Sequence, residues 1–355
     1  ANETCDDGNI ISGDGCSGVC QTESATGVCG DVWEAKFGDT DSEVGFSVEQ
    51  VFSQESGGVP VGYIVAGTNR RAVSGDDMWL IKTDSGGVSC GSGDAVCADN
   101  VGGVDRFVSV FGGNAADEGR VAVPYYSTAG SKLLLGHGFL GNYFTGTNFD
   151  LRLIMVDTVG LQLYYKDLGG SKEEKGFGLR QSGANLLAIG STNTFNSSNN
   201  NRDMWYVKAF ASGGKFTVCD DATFGPYYPA SPSYNCYLNG TWAKRLDGVS
   251  GNDVGYSFGF TSFSSVVGSG NNSSGTNTDV FAVLTDSQGG KSSQIQVGGT
   301  GFDAPWSSLR SSDGGMVFVG ETTSFGAQGT DAWLFKFDSL GNFCPYSGNG
   351  NCTGA

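Results

Sequence analysis

Histidine is almost absent from this chain. His137 is the only one in 355 residues, which excludes every metal centre built on several imidazoles. Proline is scarce, at 7, and glycine follows no three-residue period, so a collagen helix is excluded as well. Bases are few: 20 Lys and Arg face 37 Asp and Glu, a formal charge of −17. Coulomb repulsion therefore makes nucleic acid and anionic membrane poor partners. Long apolar runs are missing too. The stretch from Lys132 to Leu140 is already interrupted by glycine and histidine, far short of the roughly 20 residues a membrane helix needs, so no membrane insertion is expected. The chain begins at Ala1 with neither methionine nor a leader-like apolar segment, as expected of a processed or partial extracellular product.

What is abundant is glycine, 59 residues or about one in six, together with 10 cysteines. Hydrophobic residues make up 38% and aromatics 12%, enough for a packed core and too many for a disordered chain. An even, high cysteine count fits an oxidising compartment, so an extracellular or cell-surface location is expected. The composition changes near residue 30. Residues 1–32 carry Cys5, Cys16, Cys20 and Cys29 among Gly and Asp with almost no strand pattern. From Trp33 onward, short apolar runs alternate with Gly, Asn, Ser and Asp turns, and no amphipathic helix is legible. Two units follow: a cysteine-rich connector over 1–32 and an all-β domain over 33–355.

The all-β domain repeats itself. Val61-Gly-Tyr-Ile-Val-Ala-Gly-Thr68 followed by Asp77-Met-Trp-Leu-Ile-Lys82 recurs as Lys132–Gly138 with Asp150–Asp157, and as Asn185–Ser191 with Asp203–Lys208. It recurs again as Ser265–Ser269 with Asp279–Asp286, and as Met316–Gly320 with Asp331–Asp338. A second line precedes each copy: an apolar residue, a glycine turn, an acid, then usually glycine and an aromatic. It runs Phe37…Glu43-Val-Gly-Phe46, Phe111…Asp117-Glu-Gly119, Leu168…Glu174-Lys-Gly-Phe177, Leu246…Asp253-Val-Gly-Tyr256 and Val297…Asp303-Ala-Pro-Trp306. Pro305 breaks the last copy, and a residue that cannot donate to a ladder implies a strand that starts late or sits at an edge.

The repeats cover roughly 37–90, 111–160, 168–214, 246–290 and 297–343. Their anchor aspartates, Asp77, Asp150, Asp203, Asp279 and Asp331, are spaced 73, 53, 76 and 52 residues apart. The two long intervals each hold one cysteine pair, and without these insertions the period is near 50 residues. Four short strands per period, five times over, is the arithmetic of a five-bladed β-propeller. The last repeat lacks an outer strand while Trp33–Phe37 precedes the first one as an orphan. Trp33–Phe37 is therefore expected to complete the last blade and close the ring, removing open strand edges.

Residues 33–343 resemble the secreted propeller repeats of the GGYIVAG…DxWLIKLDSxGN type, found in bacterial cell-surface and exported proteins. Residues 5–20 resemble the small CDDGN…GDGC…C repeats of large secreted bacterial and protist proteins, although the upstream CGDG segment is missing. The resemblance implies a propeller fold and a modular extracellular context, and it leaves function open.

Cys90/Cys97, Cys219/Cys236 and Cys344/Cys352 follow equivalent turns, so each pair is expected to close locally as a disulfide; zinc is the rival, disfavoured by spacing and by the lack of histidine. Cys5, Cys16, Cys20 and Cys29 pair among themselves in an order the sequence leaves open. Asp6, Asp7, Asn9 and Asp14 gather hard oxygens inside that cysteine-bounded loop and are the candidate calcium ligands, without EF-hand spacing. The anchor aspartates are read as turn acceptors, with calcium as their alternative. Trp79, Trp205 and Trp333 share one repeat position, with Phe281 and Arg152 in the other copies. They are read as inter-blade core, and as a sugar platform only if they face the channel. His137 is read as packing. Sequons at Asn2, Asn196, Asn239, Asn271, Asn272 and Asn351 are candidate glycan sites. No nucleophile motif is present, and the expectation is no enzyme. The first expected function is an extracellular structural or adhesive module of a surface layer, matrix or filament, associating with itself or other extracellular proteins. A lectin-like propeller binding glycans is the alternative, and a polysaccharide hydrolase with channel carboxylates the second alternative.

Overall fold

A computed structural model describes residues 33–38, 42–55, 58–71, 75–91, 96–113, 115–128, 132–193, 202–212, 215–217, 235–238, 241–246, 252–260, 264–271, 277–286, 289–326, 329–338 and 342–343. Among them there is no helix, and every strand belongs to one of five antiparallel sheets that follow one another along the chain.

The first sheet is built from β1 (Ser42–Phe52), β2 (Pro60–Arg71), β3 (Gly75–Lys82), β4 (Cys97–Val101) and β5 (Val104–Phe111), in the order β1-β2-β3-β5-β4. The second is a plain meander of β6 (Glu118–Tyr126), β7 (Leu134–Phe144), β8 (Phe149–Val156) and β9 (Gln162–Leu168). The third comprises β10 (Glu174–Ser182), β11 (Asn185–Thr192), β12 (Asp203–Ser212), β13 (Lys215–Thr217), β14 (Asn235–Leu238) and β15 (Thr241–Leu246), with β15 beside β12 and β14 outermost. The fourth is again a meander, of β16 (Asp253–Phe260), β17 (Ser264–Asn271), β18 (Thr278–Thr285) and β19 (Lys291–Val297). The fifth has three strands, β20 (Asp303–Arg310), β21 (Met316–Thr322) and β22 (Asp331–Phe337). The cysteine-bearing insertions thus do more than lengthen a turn: in the first and third sheets they add an outer strand, β4 and β14.

Among the described residues there is no single core; apolar side chains are shared between the faces of successive sheets. Ile64, Met78, Leu80 and Phe107 of the first sheet pack against Phe139, Ile154 and Val156 of the second. Leu140, Leu151 and Leu153 then meet Leu179, Leu186 and Trp205 of the third. Tyr206 and Met204 meet Val283 and Phe258, and Val280 and Val297 meet Phe318, Phe335 and Phe337. The middle strands bury both faces, which is why β3, β8 and β12 read as continuous apolar runs rather than alternating ones.

Each sheet begins with the same irregularity. The registers break between Gly45 and Ser47, Gly119 and Val121, Gly176 and Gly178, Gly255 and Ser257, and Pro305 and Ser307. These are β-bulges, one extra residue on the first strand, which bend it and turn one side chain off the pleat. The residue opposite each bulge is a glycine, and the reason is contact distance. A Cβ on Gly67 would lie 2.2 Å from the Val44 carbonyl oxygen, and one on Gly190 only 1.8 Å from that of Lys175. Close approach of two backbones, as much as turns, accounts for the glycine content.

One expectation changes here, and another resolves to one of its two alternatives. Trp33–Phe37 carries no strand pairing and does not extend the fifth sheet. Instead the Trp33 ring stands edge-on to Tyr63 at 5.3 Å, and Phe37 packs against the Trp79, Ile81 and Val108 cluster of the first sheet. Apolar burial thus holds this segment on the first sheet without ladder bonds. Pro305 lies inside β20, which starts at Asp303 rather than late, and it is tolerated because β20 is an edge strand of its sheet.

Candidate functional site

The acids at the heads of β6, β10 and β20 act as staples. Asp117 accepts the Gly113 N–H at 2.9 Å and the Phe144 N–H at 2.7 Å. Glu174 accepts the Gly170 N–H and the Thr192 hydroxyl, both at 2.8 Å, and Asp303 accepts the Gly299 N–H at 2.9 Å. The anchor aspartates lie beside these acids on the preceding sheet: a Cβ built on Gly112 would meet both Asp77 and Asp117, one on Gly169 both Asp150 and Glu174, and one on Gly298 both Asp279 and Asp303. Carboxyl groups therefore meet in pairs at successive sheet junctions. Burial raises the Asp117 and Asp279 carboxyls above their usual range, and Asp150 is pushed up to about 6 by burial and then by the Asp167 charge. Among the described residues no group of three or more such ligands gathers at one point.

The bulges build the second feature. Phe46, Arg120, Phe177, Tyr256 and Trp306 are the five extra residues, one per sheet, and all five line one cavity of about 660 Å³ bounded by β1, β6, β10, β16 and β20. Their side chains touch in sequence. The Arg120 guanidinium lies 4.5 Å from the Phe46 ring centre and 5.7 Å from that of Phe177. Phe177 meets Tyr256 at 5.3 Å, and Tyr256 meets Trp306 edge-on at 5.1 Å. These are favourable aromatic and cation–π separations. The collar is half open to solvent, with Phe46 43% and Trp306 51% exposed.

Arg120 is held in place from two sheets. Its Nη2 donates to Glu118 Oε2 at 2.5 Å, Asn142 Nδ2 donates to the same oxygen at 3.1 Å, and the Asn142 side-chain oxygen accepts the Gly176 N–H at 2.7 Å. Burial works to raise the Glu118 carboxyl, but the bonds from Arg120 and Asn142 outweigh it and hold the group below its usual range. Elsewhere in the cavity Gln181 and Tyr126 form a reciprocal pair: the Tyr126 N–H donates to Gln181 Oε1 at 2.8 Å, and Gln181 Nε2 donates to the Tyr126 carbonyl at 2.7 Å. Glu49 lines the cavity, where neighbouring protein desolvates its carboxyl. That desolvation raises its carboxyl, and the Arg180 charge offsets part of the rise.

The residues singled out from the sequence lie elsewhere. Trp79, Trp205 and Phe281 are buried, and Trp333 packs against Phe335 at 4.2 Å; none of them lines the cavity. Arg152 substitutes for tryptophan by stacking 3.4 Å from the Tyr143 ring centre while its Nε and Nη2 donate to Asp167 at 2.5 and 2.7 Å. His137 is fully buried, 5.7 Å from the Phe107 ring, and desolvation, then the Lys82 charge, lower its pKa to about 3, so it is neutral packing. Cys90 and Cys97 form a disulfide with their Cα atoms 6.0 Å apart. The carboxylates lining the cavity are Glu49 and Glu55, and Lys132 holds Glu55 at 2.5 Å.

Several expectations lie outside the described residues: Cys5, Cys16, Cys20, Cys29, Asp6, Asp7, Asn9 and Asp14 in 1–32, the cysteines Cys219, Cys344 and Cys352, and the sequons Asn2, Asn196, Asn239, Asn272 and Asn351. Of Cys236 and Asn271 only the backbone is described, in β14 and β17. The collar residues belong to the line of text in which an aromatic follows each acid and glycine. What the text alone could not show is that this position is a bulge and points into a shared cavity.

A scan against models of known protein families finds none that matches this chain, and a search of curated proteins finds no match. Fold and site define it as an all-β protein of five successive antiparallel sheets whose first strands share one aromatic-collared cavity.

Proposed function

We propose that this chain is an extracellular structural or adhesive module, a disulfide-stapled five-bladed propeller that works by association with further copies or with other extracellular proteins. A ring is supported by the cavity that all five first strands line. It is supported also by Phe37, which packs on the first sheet much as Phe111 packs on the second, 5.9 Å from Phe139.

The observation that carries association is the edge of the second sheet. In the first and third sheets β4 and β14 cover the outer edge; among the described residues no strand covers β9 in this way. Leu161, Leu163 and Tyr165 alternate along it and are 65%, 51% and 50% exposed, while Tyr164 turns inward to Phe216 at 4.8 Å. An open edge with an apolar stripe offers both ladder groups and a desolvation drive for a partner strand. The equivalent strand β19 reads Lys-Ser-Ser-Gln-Ile-Gln-Val and is polar at these places, so the stripe is particular to one blade and gives the ring a direction. The charge of −17 opposes self-contact at low ionic strength, and salt, or calcium held by Asp6, Asp7, Asn9 and Asp14 in the connector, relieves that repulsion.

Sedimentation velocity tests this reading. The wild-type chain is expected to sediment as dimers or larger species that grow with salt, and the Leu163→Lys/Tyr165→Lys variant as a monomer with unchanged circular dichroism. A wild type that stays monomeric at its highest soluble concentration overturns it.

A further inference from the structure

We propose that the collar of Phe46, Arg120, Phe177, Tyr256 and Trp306 is a binding site for a neutral saccharide, independent of the β9 edge. The chemistry of the lining selects that class. Its charged side chains are Glu49, Glu55, Arg120 and Arg180, two of each sign, in a chain whose overall charge is −17. This cavity is an electroneutral patch on an acidic molecule, so neither a polyanion nor a polycation finds a complementary field there. What remains is aromatic surface at one level and hydroxyl and amide groups beside it. Ser47, Ser257 and Ser307 each directly follow a collar residue, and Gln50 and Gln181 line the same space.

A pyranose ring has this dual character: a face of axial C–H groups that stacks on an aromatic ring, and a rim of hydroxyls that seeks hydrogen bonds. Ligand sites in general pair apolar walls with a few placed polar groups in this way.

The collar also has an opening. Contacts run from Phe46 through Arg120, Phe177 and Tyr256 to Trp306. Among the described residues no ring contact joins Trp306 back to Phe46, and these are the collar's two most exposed apolar rings. A sugar ring is seated against Trp306 at this gap, with Tyr256 buttressing the indole edge-on. Arg120 is fixed by Glu118 and by two phenyl rings, so the wall is in place before the ligand arrives and little ordering entropy is lost.

The test is tryptophan fluorescence and calorimetric titration of the full chain with cellotetraose, laminaritetraose and chitotetraose, with tetragalacturonate as the charged comparator. At least one neutral tetrasaccharide is expected to bind and to shift the emission of Trp306. The Trp306→Ala variant is expected to lose affinity by about tenfold or more, while Trp205→Phe, altered in the buried core, keeps it. Circular dichroism confirms that each variant is folded. No binding by any neutral tetrasaccharide, undiminished binding by folded Trp306→Ala, or equal binding of tetragalacturonate overturns the proposal. The Leu163→Lys/Tyr165→Lys variant, titrated alongside, is expected to bind as the wild type does.

Discussion

Replacing Asp150 with asparagine isolates what one desolvated carboxyl costs the fold. Asp150 is the second residue of β8, half-buried, and a Cβ built on Gly169 would meet both its carboxyl and that of Glu174. Burial first, and the Asp167 charge second, raise its pKa from the usual 3.8 to about 6. A raised carboxyl is protonated more readily in the folded chain than in the unfolded one, so between those two values the native state holds more protons. Stability from this group is therefore greatest below the unfolded value and falls as pH rises through about 6. Undiminished, that shift would amount to about 3 kcal/mol; screening of a half-buried group reduces it to about 1–2 kcal/mol. Asparagine preserves shape and can still accept the bond that Asn148 Nδ2 donates at 3.1 Å. Urea unfolding of Asp150→Asn should show a gain of about 1–2 kcal/mol near pH 8 and about none near pH 4. A variant that is less stable than wild type at both pH values, or whose difference from wild type does not change with pH, would refute the assignment. In that case the carboxylate would be a net acceptor at the junction rather than a desolvated neighbour of Asp167.

Other expectations follow from the same contacts. Gly190→Ala forces a Cβ to 1.8 Å from the Lys175 carbonyl and should cost about 3 kcal/mol or more. Gly183→Ala, at φ +59° with open space around it, should cost only about 1–2 kcal/mol; thermal unfolding of the two compares them, and equal losses would discredit the bulge as the cause. His137→Leu should act opposite to Asp150→Asn. The histidine's pKa, lowered to about 3, makes the wild type lose stability as pH falls from about 6.5. The variant should lose less over that interval, by urea unfolding. Reducing Cys90–Cys97, a separation of 7 residues, should remove about 2–3 kcal/mol, and hydrogen exchange should quicken in β4 and β5 first.

How far the text of the chain carried these conclusions depends on where the information sits. Apolar runs with an aspartate at their head are local, so Asp77-Met-Trp-Leu-Ile-Lys82 and its copies read directly as the third strand of each sheet. The role of glycine was only half legible: turns are local, whereas Gly67 and Gly190 face a carbonyl from another strand, and that distance exists only after pairing. The collar was missed for the same reason. Phe46, Phe177, Tyr256 and Trp306 stand at one repeat position in the text, but a bulge reverses which way a side chain points, and periodicity cannot see it. Trp33–Phe37 shows the converse. Its sequence matches an outer strand, yet the edge-on contact of the exposed Trp33 ring with Tyr63 and the packing of Phe37 against the first sheet, rather than ladder pairing, hold it. The β9 stripe was written openly in Leu161, Leu163 and Tyr165, and its meaning came from the cover that β4 and β14 give to other sheets.

Electron microscopy of the assembled protein tests the central claim most directly. End-on class averages are expected to show five-lobed rings around a central opening, joined to neighbours at the perimeter through one lobe, with Leu163→Lys/Tyr165→Lys particles separate. Open arcs of sheets, or wild-type rings that remain monodisperse under the same conditions, would contradict it.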